Sequence, residues 1–246
     1  TRLSRRDCPT SGPEGESMKS VPYAPAVGSL MYAMVATRPD IAHVVGVVDR
    51  FMHNPNRSHW NAVKHVFRYL AGTQDLGILF GPNDNSGVVG YTDSDFAGCI
   101  DSRKSTTGYC FKFGNGVISW KSKLQECTAT STTEAEYVAA SDAAKEALWL
   151  GRLACTFRQG TIGSAPIVYS HSHGVVALSK NPVHHNASKH IDVRYHFVRD
   201  CVISGKIGLE KISTADNVAD ALTKCLPADR LRSLRQHMGV MENRFD

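Results

Sequence analysis

The sequence predicts an α/β fold, a mixed sheet with helices on its faces, preceded by a small helical segment. Residues 24–73 repeat apolar positions at helical spacing, and from about residue 76 the pattern turns to short β-rich runs. Beyond residue 130, long helical stretches alternate with single strands, the order expected of helices packed on a sheet.

Residues 1–20, "TRLSRRDCPTSGPEGESMKS", are polar and rich in Gly, Pro and Ser, and read as a loop or tail. The next block is helical in three pieces broken at "TRPD" and "HNPNRS", the last with Trp60, Val63, Val66, Phe67 and Leu70 as its apolar face. Its basic polar faces are either simply solvated or able to follow a phosphate backbone. "LGILF", "GVVGYTD", "GYCFKFGNGVISW" and "PIVYS" are β-rich, and "FGNGV" is a hairpin signal between two alternating strands. In "STTEAEYVAASDAAKEALWLGRLACTF", Ala135, Val138, Ala139, Ala143, Ala147, Leu150 and Ala154 form one helical stripe. Further helices are expected from "SHGVVALSK" and over "KHIDVRYHFVRDCVIS", then a strand in "GLEKIS" and short helices at 217–224 and 227–238. The chain divides into a polar tail (1–20), a helical segment (21–82), an α/β domain (83–226) and a carboxyl-terminal helix and tail (227–246).

With 246 residues, 42% hydrophobic and 21% charged, the chain can bury one large or two modest cores. A net charge of +5 permits a polyanionic partner without demanding one. The seven cysteines are scattered and form no C-x-x-C pair. That argues against a disulfide framework or a thiolate zinc site and for a reducing intracellular compartment, cytoplasmic or nuclear. No apolar run approaches the ~18 residues of a membrane span, and no signal-peptide pattern opens the chain.

Three acidic residues stand at element ends. Asp93 closes a strand in "GYTDSDFAG", Glu136 lies in the first turns of the Ala-rich helix, and Asp220 lies in the first turn of "NVADALTK". Each also has a local reading. Asp93 and Asp95 suit a turn before Gly98. "STTE" and "TEAE" both fit a capping box, which would employ Glu134 or Glu136 on backbone donors. Asn217 can cap a helix whose dipole favours Asp220.

The wording around these residues is more specific. "YTDSDFAGCIDSRKSTTGYCFKFGNGVISWKSKLQECTATSTTEAEYVAAS", "ALSKNPVHHNASKHIDVRYHFVRD" and "ADNVADALTK" closely resemble the ribonuclease H domain of Ty1/copia-type retrotransposon Pol polyproteins. "AVGSLMYAMVATRPDIAHVVGVVDRFMHNPNRSHWNAVKHVFRYLAGT" resembles the carboxyl end of the reverse transcriptase that precedes that domain. The resemblance runs over about residues 20–226. It implies a ribonuclease H-like fold and cleavage of the RNA strand of an RNA/DNA hybrid by two Mg²⁺ or Mn²⁺ ions, with the remainder of a reverse transcriptase polyprotein as a partner. The 2′-hydroxyl would tell RNA from DNA.

Matched residue by residue, the resemblance makes Asp93 the first metal-binding carboxylate, selects Glu136 over Glu134, and supplies Asp220 as the last. The family's catalytic aspartate at the end of the fourth strand is missing. The sequence there reads Ser170-His171-Ser172-His173, so His171 completes the site in place of that aspartate and His173 stands where a glutamine is usual. An imidazole removes one negative charge and one hard oxygen ligand, and nitrogen suits Mn²⁺ better than Mg²⁺. Weak, Mn²⁺-dependent or absent activity is therefore expected, the alternative being a non-catalytic nucleic-acid-binding or structural remnant. A zinc site among His171, His173, His184, His185, His190 and His196 is disfavoured, because the family carries "KHIDVRYH" without zinc. Lys189, His190, Arg194 and Arg199 are candidate phosphate contacts, with Ile191, Tyr195 and Val198 facing the core at helical spacing. Arg103, Lys104 and Lys121 are further candidates of the same kind.

Overall fold

A computed structural model describes residues 3–9, 13–81, 87–157, 165–180 and 192–242. The chain begins with helices α1 (Pro13–Lys19), α2 (Tyr23–Ala36), α3 (Ala42–Asp49) and α4 (Arg57–Ala71). The breaks fall where the sequence places them. Pro39 opens a 3-10 turn, Pro39–Ile41, that leads into α3. Asn56 caps α4 by accepting from the His59 amide at 2.9 Å while its own amide donates to His59 Nδ1 at 3.0 Å. Tyr23, Val27, Leu30, Ile41, Val45, Val48, Phe51, Val63 and Val66 form the core of this block.

Residues expected as a tail are partly structured. Besides α1, Arg5–Asp7 form a 3-10 turn boxed by Ser4 and Asp7, and the Ser4 hydroxyl donates to Asp101 at 2.6 Å. A contact to a residue so distant in sequence leaves no periodic signal, and composition alone reads such a stretch as loop.

Strands β1 (Leu76–Ile78), β2 (Val88–Ser94), β3 (Thr106–Phe113) and β4 (Gly116–Leu124) follow. Then come α5 (Thr132–Phe157), β5 (Ile167–Ser170), α6 (His173–Lys180), α7 (Asp192–Ile203), β6 (Gly208–Lys211), a 3-10 turn at Val218–Leu222, α8 (Ala228–His237) and β7 (Val240–Glu242). Five strands make one mixed sheet in the order β4-β3-β2-β5-β6, antiparallel across β4-β3-β2 and parallel across β2-β5-β6. This is the ribonuclease H-like arrangement the sequence leads one to expect. The β3–β4 hairpin turns where expected, with Gly114 at φ +62°.

Two elements differ from expectation. The stretch expected as a helix at 217–224 is a 3-10 turn capped by Asn217. The run "LGILF" joins β7 in a separate two-stranded antiparallel pair, Leu76 opposite Glu242. Three residues are too few for a period-two pattern to show, so β7 was not legible in the sequence.

Side chains alternate across β3. Tyr109 and Phe111 enter the core beneath α5, α6 and α7, with Ala140, Ala143, Ala147, Val168 and Val198. Cys110 points to the opposite face, packing with Val117, Val218, Leu222, Leu234 and Met238. The alanine stripe lets α5 lie close on the first face. Gly108 does the same on the second: a β-carbon there would stand 2.6 Å from Thr223 Cγ2, 2.9 Å from Leu222 Cβ and 3.2 Å from the Ala219 carbonyl. Since Gly108 lies opposite Asp93 in the β2–β3 register, it sets how near the 3-10 turn comes to the end of β2. Gly108→Ala is expected to destabilise the fold by ~1–3 kcal/mol through overpacking, measured by urea unfolding; an unchanged midpoint would show that the turn is free to move away.

Candidate active site

Parallel pairing of β2 with β5 sets Thr92 opposite Ser170. The residues that follow, Asp93 on β2 and His171 just past the end of β5, therefore emerge at the same level. Asp93 is wholly buried, and Glu136 and Asp220 are 6% and 4% exposed. Glu136 arrives from the first turns of α5, and Asp220 from the 3-10 turn. The ambiguities left by the sequence resolve in the local bonds. The Ser131 hydroxyl accepts from the Glu134 amide at 3.1 Å, and Glu134 Oε2 accepts from the amide and hydroxyl of Thr130, both at 2.7 Å. Glu134 thus does the capping, and Glu136 lies against His171 instead. Asp95 accepts from the Thr106 amide and belongs to the loop. Asn217 caps the 3-10 turn at the Ala219 amide, 3.3 Å, and its side-chain amide donates to the Thr92 carbonyl at 3.0 Å, tying Asp220's turn to β2.

His171 bridges two carboxylates: Nδ1 lies 3.2 Å from Asp93 Oδ1 and Nε2 lies 3.3 Å from Glu136 Oε1. Both ring nitrogens can donate only in the imidazolium form. The hydrogen bond to Asp93 raises the His171 pKa above its ordinary value despite burial, and the Glu136 charge adds to the effect. Burial works to raise Asp93, yet His171, Lys224 and the Thr223 hydroxyl, which donates to Asp93 Oδ2, hold it below the usual carboxylate range. Glu136 is pushed up to about 8 by burial first and by Asp93 second. Asp220 is raised by burial and then by Asp93.

Two cations complete the cluster. Lys224 Nζ stands 3.1 Å from Asp220 Oδ1 and 3.4 Å from Asp93 Oδ2, and an Arg230 guanidinium nitrogen lies 3.7 Å from Asp220 Oδ2. Sequence reasoning missed both. Asp220 and Lys224 are four apart, an ion-pair spacing visible in "DALTK", whereas nothing marked Arg230.

Arg194 and Arg199, both on α7, do not join the cluster. Arg194 Nη1 lies 3.4 Å from Cys127 Sγ, and Arg199 lies 2.7 Å from His196 Nδ1. Lys121 pairs with Asp142 at 3.0 Å. Val198 is buried as expected. Lys189, His190, Ile191, His184 and His185 lie outside the described residues. His173 contacts Lys211 through Nε2. All seven cysteines are free, and among the described residues no helix is long and apolar enough to cross a membrane.

The donor set fits a divalent ion. One ligand atom each from Asp93, His171 and Asp220 lie within 4.8 Å of one another, the only such group of three among the described residues. Glu136 Oε2 is buried with no hydrogen-bond partner among them. The oxygens are hard donors suited to Mg²⁺ or Mn²⁺, and the imidazole nitrogen favours Mn²⁺.

These protonation states fix a pH dependence. In chelator, Glu136 holds its proton in the folded protein from its ordinary 4.5 up to about 8, and His171 stays protonated beyond its ordinary 6.5. The folded site therefore binds more protons than the unfolded chain across this window. Stability contributed below it is lost as pH rises from about 5 to 8, by at most about 1.4 kcal/mol per pH unit for each proton. The melting temperature in EDTA should fall over that range, with a shallower fall in Glu136→Gln. Mn²⁺ should offset the fall, since ligands release protons as they bind metal. A melting temperature that is flat or rises, with no difference in Glu136→Gln, would contradict these assignments.

No family model matches the chain. It is 50% identical over 242 residues to the "Retrovirus-related Pol polyprotein from transposon TNT 1-94" of Nicotiana tabacum, covering 98% of this chain but 18% of that protein. It is also 51% identical over 133 residues, 54% of this chain, to "Secreted RxLR effector protein 161" of Plasmopara viticola, of which it covers 94%. Among solved structures it is similar to the RNase H1 of Halobacterium salinarum, with 17% identity, a TM-score of 0.41, and 56% of this chain and 95% of that chain covered. The chain spans about a fifth of the polyprotein relative it matches nearly end to end, and it belongs to the family of copia-type, retrovirus-related Pol polyproteins.

Proposed function

We propose that the chain is a ribonuclease H-type endonuclease that hydrolyses the RNA strand of an RNA/DNA hybrid with two divalent ions, attenuated by His171. The observation that carries this reading is the convergence of buried Asp93, Glu136 and Asp220 on one end of the sheet. Asp93, Glu136 and Asp220 would hold the ions, with His171 as the nitrogen donor. Bound there, the ions would supply an activated water and stabilise the leaving oxygen. Lys224 and Arg230 present positive charge to an approaching phosphate. Arg194 and Arg199, with Lys189 and His190, are proposed phosphate contacts further along the duplex. In this reading residues 83–226 are the nuclease unit, 21–82 a reverse-transcriptase-derived segment, and 227–246 a carboxyl-terminal helix and tail. The substrate would place the protein inside the cell, in cytoplasm or nucleus.

One observation favours a second reading, a non-catalytic remnant. His171 bridges Asp93 and Glu136 at once, and a protonated ring there opposes a divalent ion. Cleavage of a hybrid labelled on the RNA strand, in Mg²⁺ and separately in Mn²⁺, decides between the two: cleavage in Mn²⁺ above that in Mg²⁺ fits the enzyme, none in either fits the remnant.

His171→Asp should raise Mg²⁺-dependent cleavage by about tenfold or more, the scale on which groups around a metal tune its affinity and activity. Adding Asp93→Asn should abolish the gain, because ligands of one metal pair act as a unit. No gain in a folded His171→Asp variant would remove His171 from the site.

A further inference from the structure

Asp93 presents its two carboxylate oxygens to different cations. Oδ1 faces His171 at 3.2 Å, while Oδ2 faces Lys224 at 3.4 Å and accepts from the Thr223 hydroxyl. Lys224 also reaches Asp220 Oδ1 at 3.1 Å, so its ammonium stands between two of the carboxylates that the metal reading requires. An ammonium with three donors and a compact charge is well suited to occupy such a position. Once a bound ion has displaced the protons of His171 and Glu136, three carboxylates face two fixed cations, Lys224 and Arg230. About one negative charge is left over, which one divalent ion more than neutralises. A second divalent ion would crowd positive charge into a buried site, where such charge is costly unless paired.

We propose that Lys224 is a built-in cation that takes the place of one divalent ion: the free protein holds a single ion on the His171 side of Asp93, and Lys224 excludes a second from the Asp220 side. This rests on the metal-binding reading above and adds to it a residue that sets the number of ions. Lys224 is a positioning residue, acting through the carboxylates. It is 39% exposed on its side chain and lies on the chain just beyond the 3-10 turn, so it can swing outward when the phosphates of a substrate enter.

The test is Mn²⁺ binding to the 246-residue chain at pH 7.5, followed by electron paramagnetic resonance and calorimetry, for the unmodified protein, Lys224→Gln, Lys224→Met and Lys224→Arg. Circular dichroism with Mn²⁺ present checks that each variant is folded. Two uncharged variants are included because one of them can fail to fold once its carboxylates lose a partner. The expected result is one Mn²⁺ in the unmodified protein and in Lys224→Arg, with a second Mn²⁺ in the uncharged variants. One Mn²⁺ in every variant, whatever its affinity, would overturn the role of Lys224 and leave the metal reading standing. Two Mn²⁺ in the unmodified protein would overturn it likewise. No Mn²⁺ in any variant would overturn both.

Discussion

A carboxylate with no exposed surface, at the end of a central strand, sets the terms for everything around it. Burying an ion costs several kcal/mol unless it is paired and hydrogen-bonded. Asp93 meets that demand with three groups from two places in the chain: His171 just past β5, and the adjacent Thr223 and Lys224 at the end of the 3-10 turn. The parallel register of β2 with β5 brings the first, and the missing β-carbon of Gly108 lets the other two approach. The fold and the site are thus one electrostatic problem. Loosening the turn would expose Asp93 to an unpaired charge, and withdrawing Asp93 would leave His171 and Lys224 without their acceptor.

The helical block contributes from outside. Arg38 grips Asp40 with two bonds, 3.0 and 2.8 Å, and the Tyr69 hydroxyl donates to the same carboxylate at 2.6 Å. Arg235 of α8 donates to Tyr69 at 3.0 Å, and Trp120 of β4 donates to the Met34 carbonyl at 3.0 Å. These bonds fasten α8 and the sheet to the helices. Leu234 and Met238 of α8 share a core with Val218 and Leu222 of the 3-10 turn. The segment that carries Asp220 is therefore held between the sheet and a helix that is itself anchored to the amino-terminal block.

Much of this was legible in the sequence wherever a period or a motif was long enough to repeat. The alanine stripe of α5, the breaks at Pro39 and Asn56 and the hairpin at Gly114 all follow from local rules. The carboxylates were visible but not separable by those rules, since Glu134 and Glu136 both fit a capping box; only the resemblance chose between them, and the bonds of Thr130 and Ser131 to Glu134 give the physical reason. What sequence could not display was convergence. Lys224 and Arg230 face Asp220 because of the 3-10 turn and α8, and β7 exists because β1 offers it an edge. Such relations are tertiary and leave no spacing to read.

The central claim is that a cluster satisfied internally by His171 and Lys224 is nonetheless a divalent-ion site. Anomalous diffraction from crystals of the unmodified protein grown in Mn²⁺ at pH 8 tests it most directly. The account predicts an anomalous peak coordinated by Asp93 together with Glu136, on the His171 side of Asp93, with the His171 ring turned from its bridging position between Asp93 and Glu136. A map with no peak there, and with His171 and Lys224 still paired to Asp93, would contradict it.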